Sequence, residues 1–128
     1  MKNIAIKENH LYTKTYKKGK SYVGRCVAVY VLKDYAAKRL ANENPEKKQV
    51  NRLGLSVSKK IGGAVVRNRV KRIIRAAYDT RKEKLKTGFL IVISARGAAV
   101  NKKSTDIERE LDVAFNSLEM YAEETIKN

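Results

Sequence analysis

The sequence predicts one α/β domain, a two-layer sandwich of the α+β kind in which helices cover a single central sheet. Its 128 residues are enough for one domain with a modest core. Three apolar, strand-like stretches alternate with segments of helical periodicity, and no internal repeat interrupts them. The predicted order is α-β-β-α-β-α, over a domain spanning residues 1–128 with a mobile N-terminus at 1–7.

Residues 8–18 predict a short helix that Gly19 ends. Tyr12 and Tyr16 stack at i, i+4 on one face of it. Two interpretations of these rings stay open: they pack in the core, or they stack on nucleobases. His10, beside that face, is interpreted as an ordinary surface residue.

The first predicted strand is Ser21–Leu32, a long run rich in β-branched residues. Strand alternation assigns one set of side chains to the core: Val23, Val27, Val29 and Val31. The opposite set is Gly24, Cys26, Ala28 and Tyr30. Small side chains that lead to one aromatic suit either a surface that receives a ligand or a face packed under a helix.

A polar connection over residues 34–51 contains the only proline and predicts little more than a turn or two of helix at Ala36–Ala41. We expect it to be mobile and to carry little chemistry. The next strand, Arg52–Ser58, alternates. Its core set is Leu53, Leu55 and Val57, and its outward set is Gly54, Ser56 and Ser58. The outward set is small enough for a backbone to approach closely.

The third strand, Phe89–Ser94, is apolar on both faces and predicts a strand covered on both sides. A final helix is predicted over Thr105–Thr125, with Ser104 as its N-cap. Its apolar stripe is Ile107, Leu111, Ala114, Phe115, Leu118 and Ala122.

The most distinctive stretch is Gly62–Arg75, GGAVVRNRVKRIIR, which predicts an amphipathic helix over about Ala64–Arg81. Its apolar face is Val66, Val70, Ile73, Ile74 and Ala77. With the two lysines before it, the stretch carries seven cations: Lys59, Lys60, Arg67, Arg69, Lys71, Arg72 and Arg75. The first acidic residue after Lys59 is Asp79, whereas a solvated surface helix mixes charges that pair at i, i+4. This asymmetry favours an anionic partner, and the free N–H groups at the helix start favour phosphate.

Charge is unevenly distributed along the chain. The formal charge is +16, with +21 over residues 1–103 and −5 over residues 104–128. Such a body is suited to nucleic acid. A membrane surface is the competing anion, but the small aliphatic stripe of the basic helix is needed for the domain's own core. We therefore expect no membrane partner.

The sequence lacks the residues that several other classes of function require. One cysteine and one histidine exclude an internal disulfide and a zinc set. The chain has no signal-peptide run, no membrane span, no HExxH, GxSxG or P-loop motif, and no acidic cluster suited to Mg²⁺. We expect a cytoplasmic protein with no catalytic residues and no metal site of its own.

The segment Leu53–Arg75, LGLSVSKKIGGAVVRNRVKRIIR, resembles the signature of the bacterial ribonuclease P protein component, with its Arg-Asn-Arg element at Arg67, Asn68 and Arg69. The wider resemblance covers about residues 8–121. Gly63 departs from the family's usual Asn, which removes a capping side chain at small cost.

The resemblance implies a fold like ribosomal protein S5 domain 2, with a left-handed βαβ crossover where the general rule favours the right-handed form. It also implies a subunit that joins a larger catalytic RNA and assists removal of the 5′ leader from precursor tRNA. The partners would be the ribonuclease P RNA and precursor tRNA, with no obligatory protein partner. Mg²⁺ would be bound mainly by the RNA of the holoenzyme and not by the protein alone.

The same resemblance assigns two sets of residues. Those facing the catalytic RNA would be Lys59, Lys60, Arg67, Asn68, Arg69, Lys71, Arg72 and Arg75. Those lining a cleft for the leader would be Tyr12, Tyr16, Ala28 and Tyr30. Composition alone would equally suit a generic RNA-binding or ribosomal protein. A protein-only nuclease is disfavoured by the missing metal ligands.

Overall fold

A computed structural model of the chain shows a five-stranded mixed sheet with helices on its two faces. It describes residues 4–43, 45 and 48–122. The strands are β1 (Ile4–Ala5), β2 (Lys20–Val23), β3 (Val27–Lys33), β4 (Arg52–Ser56) and β5 (Phe89–Ala95). The helices are α1 (Asn9–Lys18), α2 (Ala37–Glu43), α3 (Ala64–Asp79) and α4 (Ser104–Ser117). Short 3₁₀ turns lie at Lys59–Ile61, Lys82–Lys84 and Gly97–Asn101.

The strand order in the sheet is β1-β4-β5-β3-β2. β1, β4 and β5 run parallel to one another, while β3 is antiparallel to both of its neighbours, β5 and β2. Helix α3 connects the parallel pair β4 and β5, so the predicted βαβ crossover and α/β class are confirmed. The left-handed sense of that crossover stays a prediction.

The main core lies between the sheet and the pair α3 and α4, which contact each other along their length. The predicted apolar face of α3 supplies Val70, Ile74 and Ala77, all fully buried. The sheet contributes the alternate residues Val27, Val29, Val31, Leu53, Ile91 and Ile93. These strand residues lie on one face because successive side chains of a strand point to opposite sides.

Helix α1 lies on the other face of the sheet, over a smaller cluster built on Ile6, Leu90 and Val92. The central strand β5 is therefore covered on both sides, as its continuous apolar sequence predicts. Because α1 is short, it covers only part of this face.

The predicted single strand Ser21–Leu32 is wrong, because the chain reverses direction and forms the β2–β3 hairpin. A residue of α4, distant in sequence, holds this turn in place. The Glu110 carboxylate of α4 accepts hydrogen bonds from the backbone N–H groups of Cys26, at 2.7 Å, and Val27, at 2.8 Å. A Cβ at Gly24 would collide with the same carboxylate, so a side chain there would displace the group that holds the turn.

The reversal also changes which side chains are buried before β3. Val23, predicted to face the core, is 57% exposed, whereas Cys26, predicted on the opposite face, is buried in the main core. The prediction counted alternation through the turn, where alternation does not apply. Within β3 itself the predicted faces are correct.

The last helix ends at Ser117, so the prediction to Thr125 is too long; residues 123–125 lie outside the described part of the chain. Glu119 adopts a positive φ of 58°, which reverses the chain. Tyr121 then pairs with Leu85 as an isolated bridge. The N-cap is also one residue earlier than predicted: the N–H of Lys103, not Ser104, is capped by Asp106, at 3.0 Å.

Part of the N-terminal segment lies against the sheet, while the predicted mobility of residues 1–7 stays a prediction. Ile4 and Ala5 pair with β4 as an edge strand, and Ile6 is buried. The Ile6 N–H donates to the Leu53 carbonyl at 3.0 Å. Residues 1–3 lie outside the described part.

An ion pair anchors the start of the connection to the sheet. Arg52 of β4 holds the Asp34 carboxylate through two hydrogen bonds, Nε to Oδ2 at 2.7 Å and Nη2 to Oδ1 at 2.9 Å. Both residues are buried. Arg52 also lies 3.6 Å from Glu8, the residue that precedes α1. Burial alone would raise the pKa of Asp34, but hydrogen bonds from Arg52 and the Ala36 N–H hold that pKa below its usual value.

We predict that Asp34→Asn lowers the free energy of unfolding by about 3–5 kcal/mol, because it leaves the buried Arg52 guanidinium without its main counter-charge. The depressed pKa means that the carboxylate stabilises the fold fully above about pH 4 and loses that effect as pH falls through the folded-state pKa. Urea unfolding of wild type and variant from about pH 8 to pH 3 should therefore show a constant difference that shrinks at the acid end.

Glu43→Gln is the matched control, because it breaks the exposed i, i+4 pair with Arg39. Its cost should be about 0.5 kcal/mol or less. Equal costs for the two variants would contradict the structural role of the buried pair.

Candidate nucleic-acid interface

One row of small side chains forms the open floor on the α1 face of the sheet. Strand register places Ser56 of β4, Ser94 of β5 and Ala28 of β3 side by side. Val23 of β2 is opposite Ala28 and extends the row. The row lies at the ends of β4 and β5, where Ser56 and Ser94 stay partly exposed and Ala28 is buried. Small residues there leave room for an extended chain above the sheet.

Tyr16 forms the wall of this cleft. Its ring meets the Tyr30 ring edge to face, with centroids 4.8 Å apart and planes at 89°. Its hydroxyl shares a hydrogen bond with Ser94 Oγ at 3.1 Å. The side chain of Tyr16 is nevertheless 38% exposed, so part of an oriented aromatic surface is open to a partner.

Tyr12 lies deeper and positions the helix. Its ring packs directly on Gly54, where an added Cβ would lie 2.7 Å from two ring carbons and from the hydroxyl oxygen. Burial raises the pKa of the Tyr12 hydroxyl. The small outward face predicted for β4 is thus the surface that receives α1, and Tyr12 is half-buried between them.

The four predicted leader-cleft residues therefore share one face of the sheet but differ in access. Tyr16 is the most exposed, Tyr12 and Tyr30 pack against the smaller cluster, and Ala28 is only 5% exposed. Sequence reasoning missed Val23, Ser56 and Ser94 as members of the row. The sequence did indicate that Ser56 points outward from β4. The position of Ser94 next to Ser56 depends on the register between strands, which the sequence does not show.

The predicted RNA-facing residues form a basic surface on α3 and the 3₁₀ turn before it. Within residues 4–43, 45 and 48–122, the side chains of five of these cations make no hydrogen bond or ion pair: Lys59, Lys60, Lys71, Arg72 and Arg75. Asn68 is exposed beside them. Cations held without counter-ions on one face repel one another, and an anionic partner would relieve that repulsion.

The two arginines of the Arg-Asn-Arg element have intramolecular partners. Arg67 Nε donates to the Gly62 carbonyl at 3.2 Å. Arg69 donates to the carbonyls of Val100, at 2.7 Å, and Lys102, at 3.4 Å. A guanidinium has five N–H donors, so both keep donors for a phosphate while their orientation is fixed.

The cleft and the basic surface adjoin at one edge of the sheet. β4 ends at Ser56, three residues before Lys59, and β5 ends one residue before Arg96. Arg96 Nη1 donates to the Gly24 carbonyl at 2.9 Å, which ties this edge to the β2–β3 turn. Arg96 is a cation that sequence reasoning missed, although its position directly after a strand was visible.

Three acidic residues of α4, Asp106, Glu108 and Asp112, are engaged in ion pairs, and Glu110 holds the β2–β3 turn. Asp112 accepts from Arg81 Nε at 2.7 Å and from the Tyr121 hydroxyl. In the described part of the chain, no three His, Cys, Asp or Glu side chains group as metal ligands would. No helix among the described residues is long and apolar enough to cross a membrane.

We predict that Gly54→Ala displaces Tyr12 and with it α1, at a cost of about 1–3 kcal/mol in the free energy of unfolding, because the new Cβ overlaps a packed ring. Chemical denaturation measures the cost, and NMR shifts of α1 report the displacement. Gly97→Ala is the control, since no atom lies within 4 Å of a Cβ there. Unchanged α1 resonances in Gly54→Ala would refute the close contact.

Comparison with known proteins matches this architecture. The family model for Ribonuclease P matches residues 1–119. The Ribonuclease P protein component of Clostridium acetobutylicum is 40% identical over 128 residues, covering 98% of this chain and 99% of the relative. That of Bacillus velezensis is 36% identical over 126 residues, covering 98% of each.

Solved structures agree with the sequence matches. The RNase P protein of Staphylococcus aureus superposes with a TM-score of 0.75 at 30% identity, over 94% of this chain and 100% of that one. The match extends over nearly the whole of both chains, so it includes the sheet, the basic helix and the cleft. The chain belongs to the ribonuclease P protein family.

Proposed function

We propose that this chain is the protein subunit of a ribonuclease P particle, binding the catalytic RNA through the basic surface and the 5′ leader of precursor tRNA in the cleft. The observation that carries the proposal is the run of five unpaired cationic side chains on α3 and the turn before it. This turn follows β4 at the sheet edge where the cleft has a partly exposed tyrosine wall. Relatives named Ribonuclease P protein component support the assignment to such a particle.

The basic surface suits structured RNA because it presents several cationic side chains that can contact phosphates. Lys59, Lys60, Lys71, Arg72 and Arg75 can each approach a phosphate, and Arg67 and Arg69 add oriented donors. Phosphate contacts of this kind fix the register of a protein on a nucleic acid. They also make its affinity fall with salt.

The cleft suits a single strand. A nucleobase can stack on the exposed part of Tyr16. The hydroxyls of Ser56 and Ser94 on the floor can donate to, or accept from, sugars and base edges. The floor is one row of small residues wide, which fits an extended chain. A leader held here would leave the cleft beside Lys59 and Arg96, next to the catalytic RNA.

In this proposal the chemistry belongs to the RNA, whose bound Mg²⁺ would supply the activated water. The protein would bind and orient: it neutralises phosphates and holds the leader, so that the particle works at lower Mg²⁺. The described residues offer no metal-ligand group for an alternative in which the protein itself holds the ion.

Cleavage of a precursor tRNA at low Mg²⁺ tests the role directly, in three mixtures: the protein alone, a bacterial ribonuclease P RNA alone, and both together. We expect efficient release of the leader only in the combined mixture. Cleavage by the protein alone would instead indicate a protein nuclease. Absence of stimulation, with RNA binding intact, would favour a generic RNA-binding protein.

Two substitutions should separate the surfaces. Arg72→Ala should weaken binding of the catalytic RNA, because it removes an unpaired cation. The dependence of that affinity on salt should fall by the equivalent of about one phosphate contact.

Tyr16→Ala should leave the affinity for the catalytic RNA unchanged. It should lower the binding free energy of precursor tRNA by about 1–3 kcal/mol and leave that of mature tRNA unchanged, because only the precursor has a leader to stack. Filter binding at several salt concentrations measures both.

Lys86→Ala is the matched charge control, because Lys86 is exposed near the start of β5, at the other end of that strand from the cleft. It should have little effect on either affinity. If Tyr16→Ala weakened precursor and mature tRNA equally, the cleft assignment would fail.

A further inference from the structure

Tyr35 is a second exposed aromatic, on a part of the surface that neither the cleft nor α3 uses. Its side chain is 79% exposed, about twice the exposure of Tyr16 at 38%. It lies two residues after the end of β3, at the corner that leads into α2. An apolar ring left this open contributes little to the core, so its exposure is not explained by folding.

The corner that presents Tyr35 is firmly held. The neighbouring Asp34 is buried and bound by Arg52 through two hydrogen bonds. The same Asp34 accepts from the N–H of Ala36 through its side chain, at 3.0 Å, and from the N–H of Ala37 through its carbonyl, at 3.0 Å. Ala37 is itself buried. The exposed ring therefore projects from a backbone fixed on both sides.

The ring sits in a cationic setting. Lys14 Nζ of α1 lies 4.9 Å from the Tyr35 ring centroid, within the range of a cation–π interaction. Lys18 follows one turn later on the same flank of α1, and Lys38 is exposed on the first turn of α2. At 100° per residue, Lys14 is about 160° around α1 from Tyr16, so this flank faces away from the cleft wall.

In the part of the chain that the structure describes, the nearby acids do not neutralise these lysines. Asp34 and Glu8 are both directed to Arg52. Glu43 pairs with Arg39. The surface formed by Lys14, Lys18, Tyr35 and Lys38, called here the Tyr35 surface, thus combines an open aromatic face with positive charge.

We propose that the Tyr35 surface is a second contact for single-stranded RNA, in which an unpaired base stacks on Tyr35 and the lysines bind the flanking phosphates. Aromatic stacking beside a cationic track is how proteins hold single strands without reading their sequence. A duplex hides its base faces and cannot stack in this way. The inference goes beyond the proposed function and is tested on the isolated protein.

The first test is the affinity of the full chain for a labelled twelve-nucleotide oligoadenylate, measured by fluorescence anisotropy. Tyr16→Ala is used as the background so that cleft binding does not mask the second contact. In that background Tyr35→Ala should weaken binding about fivefold or more, which is the loss of one stacked base. Tyr35→Phe should retain the affinity, because the ring is kept.

Charge controls separate a local contact from the general field of the protein. Lys14→Gln should weaken binding of the oligonucleotide more than Lys86→Gln does. It should also reduce the slope of log affinity against log salt concentration by about 0.7. The affinity for a duplex RNA of equal length should not change in Tyr35→Ala. Thermal unfolding by circular dichroism checks that each variant is folded, which we expect because both side chains changed are peripheral.

Two results would overturn the proposal. One is an oligonucleotide affinity of the Tyr35→Ala variant within twofold of its parent, and the other is an equal loss of affinity in Lys14→Gln and Lys86→Gln. A surface made for an acidic protein partner would give the first result. If the contact exists, measurements on assembled particles identify which RNA supplies the stacked base. Loss confined to precursors with long leaders would assign the leader, while weaker assembly with every substrate would assign the catalytic RNA.

Discussion

The buried guanidinium of Arg52 joins the parts of the structure on which the surfaces depend. It holds Asp34, where the chain leaves β3, and approaches Glu8, where α1 begins. Through these contacts a residue of β4 fixes both the start of the helix that carries the cleft tyrosines and the corner that presents Tyr35. A buried ion pair adds little net stability compared with an apolar replacement. Its effect here is geometric, because a bidentate pair permits one arrangement of the three segments.

A second constraint is the tight fit of α1 on the sheet. Gly54 admits the Tyr12 ring, and the Tyr16 ring then meets Tyr30 and Ser94. The same small residues that let the helix approach continue as the open floor beyond it. The small residues of this face thus have two effects: some let α1 pack closely, and others stay partly exposed beside it.

Charge is arranged to leave cations free where a polyanion would bind. The carboxylates of α4 pair with Arg81 or Arg109, or bind the backbone of the β2–β3 turn. The lysines and arginines along α3 have no carboxylate partner among the described residues. This separation leaves uncompensated repulsion in the free protein, which binding of RNA would relieve. A particle built this way gains affinity from the charge that strains the isolated subunit.

The sequence by itself determined the α/β class, the basic helix with its buried stripe, and the strands β4 and β5, because each is set by periodicity within a continuous segment. It also set apart the residues of α3 that make up the basic surface. The tertiary structure decided what depends on distant partners. Glu110, 84 residues from Cys26, turns a predicted strand into a hairpin. Strand register brings Ser56, Ser94 and Ala28 together, and Arg52 gives the polar connection a fixed corner. Such contacts leave no periodic signal in the sequence, since they join segments whose spacing along the chain is arbitrary.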